Sequence, residues 1–226
     1  MKKRRSFFRR LLRLAVAIFA LAYAAWIGGL VVLRFVDPST TGVQIQRRLE
    51  AWWRGATYRK RYTFVPLGRI SPNLQHSVIA AEDGNFYRHH GIEWSQIQKV
   101  IDESAETGTV SRGASTITQQ LVKNLFFTTH RNFVRKAIEY TLVPLAEWIL
   151  GKRRILELYL NVVEWGPGVW GAEAAAEYHY HTSAAKLDRD QSARLAACLP
   201  SPRRFRPARM DNYSALIQER MQLLGW

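Results

Sequence analysis

Twenty consecutive residues without a charge, Leu14 to Leu33, constrain this chain more than any other feature. As a helix the run would be about 30 Å long, the thickness of a bilayer's hydrocarbon core. It exceeds a typical signal-peptide apolar region. Arg34-Phe35-Val36 follows it, where a cleavage site would need small residues and a polar flank. The run therefore reads as a retained anchor: residues 1–13 are a basic tail and 14–36 the transmembrane segment. Seven cations precede the run and one, Arg34, closely follows it. That asymmetry places the N-terminus in the cytoplasm and residues 37–226 across the membrane. Gly28-Gly29 within the run is a candidate close-packing face.

The net charge of +15 is shared between anchor and body. Residues 1–36 hold eight basic and no acidic residues, and the remaining 190 hold 25 basic against 18 acidic. A moderately basic body implies an anionic partner, whether nucleic acid, anionic lipid or phosphate, and charge alone does not choose. The sole cysteine, Cys198, can form neither an intrachain disulfide nor a multi-cysteine metal site. It sits in Leu195-Ala-Ala-Cys198-Leu199 and reads as core.

Beyond the anchor, residues 37–70 read as a membrane-proximal linker and helix, and 71–226 as one mainly α-helical domain. Residues 43–54 form an amphipathic helix with Trp52 and Trp53 among cations. Such a helix rests equally well at a lipid interface or in ordinary packing. Residues 55–70 read as irregular or extended. Ser71-Pro72 is a helix start, and Leu74, Val78 and Ile79 form a stripe that ends at Glu82. Trp94, Ile97 and Ile101 mark the next helix, after which residues 102–113 read as a mobile loop. Helices follow from about Thr116 to Phe126 and from near Asn132 to Leu150, the latter kinked or split at Pro144 and stopped at Gly151. Further helices cover 153–163, 172–178, 188–199 and 212–224. No pair of segments shows a hairpin pattern.

Three motifs lie between residues 80 and 139: Glu82-Asp83-x-x-Phe86-x-x-His89-x-Gly91, Gly113-Ala-Ser115-Thr116-Ile117-Thr118-Gln119-Gln120, and Arg135-Lys136-x-x-Glu139. Glu82, at the end of an apolar stripe, is either a general base with a raised pKa or a helix-end acid in water. On the helix from Thr116, Ile117, Leu121 and Leu125 turn inward, while Gln120, Lys123 and Asn124 fall on another face. That face could grip sugar hydroxyls and a phosphate, or be merely solvated. Arg131, Arg135 and Lys136 add cations that could neutralise a pyrophosphate. Glu139, four residues after Arg135, is equally consistent with a routine helix-surface ion pair. Gly166-x-Gly168-x-x-Gly171 has dinucleotide-fingerprint spacing but is expected to follow a helix, not a strand, so nucleotide binding is set aside. His89/His90 and His179/His181 lack metal-site spacing, and no metal is expected.

The ensemble resembles the peptidoglycan glycosyltransferase family. The three motifs match its first three. Lys152-x-x-Ile155-Leu156-x-x-Tyr159-Leu160-Asn161 is similar to the fourth, and Gly166-Pro-Gly168-Val-Trp-Gly171-x-x-Ala174-Ala-Ala176 to the fifth. With no transpeptidase region before Trp226, the monofunctional branch is expected. The resemblance implies a lysozyme-like, two-lobed helical fold and polymerisation of lipid II into β-1,4 glycan. It implies that Glu82 and Glu139 are catalytic. It also implies that Asp83, Phe86, Ser115, Gln119, Gln120, Lys123, Asn124, Arg131, Arg135 and Lys136 bind substrate. Partners would be lipid II, the nascent strand, the bacterial inner membrane and other cell-wall synthesis and division proteins, but not nucleic acid. No cofactor is required, and divalent-cation assistance at the pyrophosphate is left open. Three departures stand out: Ile138 where relatives place a lysine, Pro144 within a helix, and Tyr178-His-Tyr180-His181 in place of Tyr-Phe-Gly.

Overall fold

A computed structural model describes residues 2–107, 115–130 and 132–226. The chain is mainly helical, as its periodicity dictates. The first helix, α1 (Lys2–Leu33), contains the stretch Phe8–Leu33, which is long and apolar enough to cross a membrane. Its C-terminal end docks on the body. Leu30 is fully buried, Trp26 lies 5.1 Å from the Phe127 ring, and a Cβ on Gly29 would stand 3.0 Å from Phe126. Gly29 is therefore a packing glycine within the chain, whereas Gly28 faces open space. Just past the helix, Arg34 donates to the Ile149 carbonyl (2.7 Å). Arg154 donates to the Leu33 and Val36 carbonyls (2.9 and 3.0 Å) and pairs with Asp37.

The helix α2 (Gly42–Trp53) is capped by Thr41 and packs on α5 (Ile117–Phe126). Gln46 joins the two ends through Thr129, giving and taking one hydrogen bond (2.8 and 2.7 Å). Trp52 and Trp53 stay exposed. Residues 55–70 are stitched to the body more than their composition foretold. The strand β1 (Arg61–Tyr62) pairs in parallel with β3 (Val169–Trp170), which pairs antiparallel with β2 (Glu164–Gly166). The Asn161 side chain imitates a further strand partner, accepting from Val65 N–H and donating to Val65 C=O, both at 2.9 Å.

This small sheet corrects the reading of the glycine motif. Gly166 ends β2, Gly168 makes a hairpin turn at φ +73°, and Gly171 at φ +83° begins α7 (Ala172–Tyr180). A strand does precede these glycines, but they close a hairpin and leave no phosphate loop. A Cβ at Gly168 or Gly171 would lie 2.4 or 2.6 Å from a carbonyl oxygen, of Arg59 or Asn161. Hairpin pattern reading failed because β2 and β3 are buried on both faces and therefore show no alternation.

The helix α3 (Pro72–Glu82) starts as expected, with Ser71 as cap and Pro72 in the first turn. It packs against α8 (Arg189–Cys198) and α9 (Asp211–Leu223). The helix α4 (Trp94–Thr107) runs six residues into the segment read as a loop, while 108–113 lie outside the described residues. The helix α6 (Phe133–Val162) passes through Pro144 in helical backbone and breaks at Gly151, at φ +72°. Pro144 is exposed and Ile138 packs against the core. The tail of α7 absorbs the third departure. His179 bonds the Trp165 carbonyl (3.1 Å), Arg61 lies over the Tyr178 ring, and His181 caps the helix in left-handed conformation. Cys198 is buried, as expected.

Candidate active site

Glu82 is the last residue of α3, and a half-open cavity of about 460 Å³ begins at its side chain. The cavity is lined by Glu82, Asp83, Glu93, Gln96 and Ser115, and by Tyr213 and Arg220 of α9. The Gln120 Nε2 donates to Glu82 Oε2 at 2.6 Å, and the Tyr159 hydroxyl donates to Gln120 Oε1 at 2.9 Å. Tyr159 is fully buried, and burial pushes its hydroxyl well above the usual range, so it remains a donor. That donor fixes the amide: Oε1 faces the tyrosine, so NH₂ must face the carboxylate. Burial raises the Glu82 pKa. The Gln120 hydrogen bond and the Lys123 charge oppose the rise, and Asp83 adds to it. A carboxylate so placed is a stronger base than one in water.

Asp83 has a different task. It is buried, and both its oxygens are engaged within the protein: Oδ1 with His89 Nε2 (2.8 Å), Oδ2 with the Ile117 N–H (2.9 Å). The Gly91 N–H donates to His89 Nδ1 (2.9 Å), so the imidazole's proton sits on Nε2, facing Asp83. The first motif thereby caps the N-terminus of α5 with a carboxylate, where the helix dipole favours one. Thr116 completes the cap in a capping box with Gln119, and its hydroxyl donates to the Gly91 carbonyl (2.6 Å). Asp83, His89 and Glu93 could together surround a cation, but the His89 lone pair already serves Gly91.

Glu139 is 1% exposed and does not open on the cavity. Arg135 bonds one of its oxygens and Lys136 lies 3.5 Å from the other. Lys123, Arg135 and Lys136 form one cluster of mutually repelling cations. Burial lowers the Lys123 pKa, and the Arg135 charge lowers it further, partly offset by Glu82. Burial, then Lys123 and Arg135, bring Lys136 down to about 8. Arg135 Nε and Gln119 Nε2 are buried donors without a partner among the described residues. Arg135 and Lys136 over Glu139, with Lys123 within electrostatic reach of both, make a seat for an anion of more than one charge.

Ser115, Gln120 and Lys123 are accessible. Phe86 is fully buried, Gln119 is 1% exposed and Asn124 7%, so the expected ligand contacts of Phe86 and Gln119 have no surface to act through here. Phe86 instead carries the Lys152 ammonium 4.5 Å above its ring. Arg131 lies outside the described residues. Sequence reading missed Tyr213 and Arg220, which belong to no motif and lie some 130 residues beyond Glu82. Tyr159 was visible as a motif residue, but nothing local marked it as the group that orients Gln120.

A transglycosylase family model matches residues 46–224. The chain belongs to the transglycosylase family. A biosynthetic peptidoglycan transglycosylase of Bordetella pertussis is 44% identical over 220 residues, 93% of this chain and 91% of the relative. Proteins of the same name from Caulobacter vibrioides and Xanthomonas campestris pv. campestris are 42% and 43% identical, over 92% and 96% of this chain and 89% and 90% of theirs. The family match runs from α2 into α9, so the sheet, the Glu82 cavity and the cation cluster all fall inside it.

Proposed function

We propose that this transglycosylase polymerises peptidoglycan glycan strands from lipid II, the undecaprenyl-pyrophosphoryl disaccharide-pentapeptide. The observation that carries this is one juxtaposition: Glu82, with a raised pKa and held by Gln120, lies within electrostatic reach of Lys123, the first of the cation cluster. Glu82 takes the proton from the 4-hydroxyl of the acceptor sugar. That oxygen attacks the anomeric carbon of the donor strand from the face opposite its α-linked pyrophosphate. The carbon–oxygen bond to phosphate breaks and its electron pair leaves with the pyrophosphate, giving a β-1,4 linkage. Lys123, Arg131, Arg135 and Lys136 balance the departing charge. Glu139 acts through Arg135 and Lys136, holding their heads in place. The anchor spans the inner membrane once, with its basic end in the cytoplasm and the body in the periplasm, where lipid II is presented.

The test is incubation of the full chain with lipid II and, separately, with finished glycan strands. Chain growth on lipid II is expected, and Glu82→Gln should reduce it roughly 10²–10⁴-fold with the melting temperature kept. Release of fragments from finished strands, or unchanged polymerisation by Glu82→Gln, would overturn the assignment.

A further inference from the structure

The Glu82 cavity has a cation of its own. Lys123, Arg135 and Lys136 do not line it; Arg220 does. Arg220 is exposed and pairs with no carboxylate among the described residues. Tyr213 and Arg220 lie seven residues apart on α9, two turns along one face, with Ile217 buried between them. The Tyr213 hydroxyl is raised first by burial and then by the Glu82 charge, while the Arg220 guanidinium beside it works the other way. It therefore stays a donor next to the base. The face of α9 is held firmly. Ile217 and Met221 are fully buried, Ser77 donates to the Met221 sulfur (3.2 Å), and Arg189 donates to the Gln218 and Trp226 carbonyls (3.3 and 3.0 Å). His76 stacks on Trp226 with ring centres 4.3 Å apart.

A transfer between two anionic substrates is served by two separate cationic poles, and the cation cluster and the cavity's own Arg220 are two such poles. Resting on the polymerase reading above, we infer that Tyr213 and Arg220 position the acceptor: Tyr213 donates to its sugar beside Glu82, and Arg220 pairs with an anionic oxygen of the same molecule. That oxygen belongs to a phosphate or to a stem-peptide carboxylate. Neither residue takes part in bond making; both hold the 4-hydroxyl in line for Glu82.

The experiment uses the full chain in detergent with a labelled donor-only lipid II analogue, its own 4-hydroxyl blocked, at saturation. Unlabelled lipid II is varied as acceptor. Arg220→Ala should raise the acceptor KM about tenfold or more, as for one charge-assisted hydrogen bond, and leave the donor KM unchanged. Arg220→Lys should recover part of the loss. Tyr213→Phe should raise the acceptor KM several-fold. If an acceptor stripped of its peptide abolishes the Arg220→Ala penalty, the anion is a stem carboxylate; if the penalty persists, it is the diphosphate. Both variants change side chains with solvent access, and circular dichroism will confirm the fold. An unchanged acceptor KM in both, or equal changes in donor and acceptor KM, overturns the inference. Failure here with Glu82→Gln still inactive leaves the polymerase standing, whereas an active Glu82→Gln sinks both.

Discussion

At the scale of single residues, the site is a set of charges whose protonation is set by their neighbours. Burial raises Glu82, and as the proposed base it must be ionised to accept a proton. Turnover should therefore fall as pH drops through a value above the ordinary carboxylate range. In the proposed reaction Lys136, at about 8, must be protonated to hold the leaving group, so turnover should also fall as pH rises past that value. The kcat/KM profile is expected to be a bell, and Lys136→Arg should move only its alkaline limb upward, because a guanidinium does not titrate there. An alkaline limb that ignores this substitution would remove Lys136 from the leaving-group site. Tyr159→Phe tests the relay behind the base. Without its donor, the Gln120 amide is free to turn, and Glu82 loses the hydrogen bond that favours its charged form. The acid limb should shift to higher pH and kcat should drop several-fold. A stability loss of about 1–3 kcal/mol should accompany it, from the orphaned amide oxygen. Glu82 was legible in sequence as the end of an apolar stripe. Its relay was not, because Tyr159 reaches it from 77 residues away.

At the scale of elements, the motifs turn out to be joints. Asp83 and His89 fasten the end of α3 to the start of α5, which sets Glu82 beside Gln120 and Lys123. Asp83→Asn would set an NH₂ against either the His89 or the Ile117 N–H. We expect about 1–3 kcal/mol of destabilisation by denaturant unfolding, together with reduced turnover. Unchanged stability would mean this joint carries no strain-bearing role. The fifth motif is a second joint, where the Gly171 backbone presses on Asn161. Gly171→Ala should cost roughly 2 kcal/mol or more, since it adds a Cβ in a clash at positive φ. Gly68→Ala, with open space around it, should be close to neutral. Equal effects of the two would contradict this account. Helix starts at Ser71-Pro72 and Thr116 were readable because caps are local chemistry. The hairpin was not, because buried strands of two and three residues have no periodicity to read. The extra turns of α4 were missed because their sequence lacks an apolar stripe.

At the scale of the whole molecule, the N-terminal apolar helix is also part of the body. Its last two turns contribute Trp26, Gly29 and Leu30 to the body, covering Phe126 and Phe127 at the end of α5. Removing residues 1–36 should therefore lower the melting temperature of the body in detergent and weaken polymerisation of lipid II. An identical melting curve would show that this contact adds nothing.

The sequence by itself determined the helical class and an N-terminal helix long and apolar enough to cross a membrane, because hydropathy and caps act over a few neighbouring residues. Only the tertiary structure decided which residues meet. Asp83 and Gln119 became internal fastenings, and Phe86 became core. Glu139 went under the cations, and α9 supplied two cavity residues that no motif contains. Burial and partner choice depend on elements far apart in the chain, and no local pattern records them.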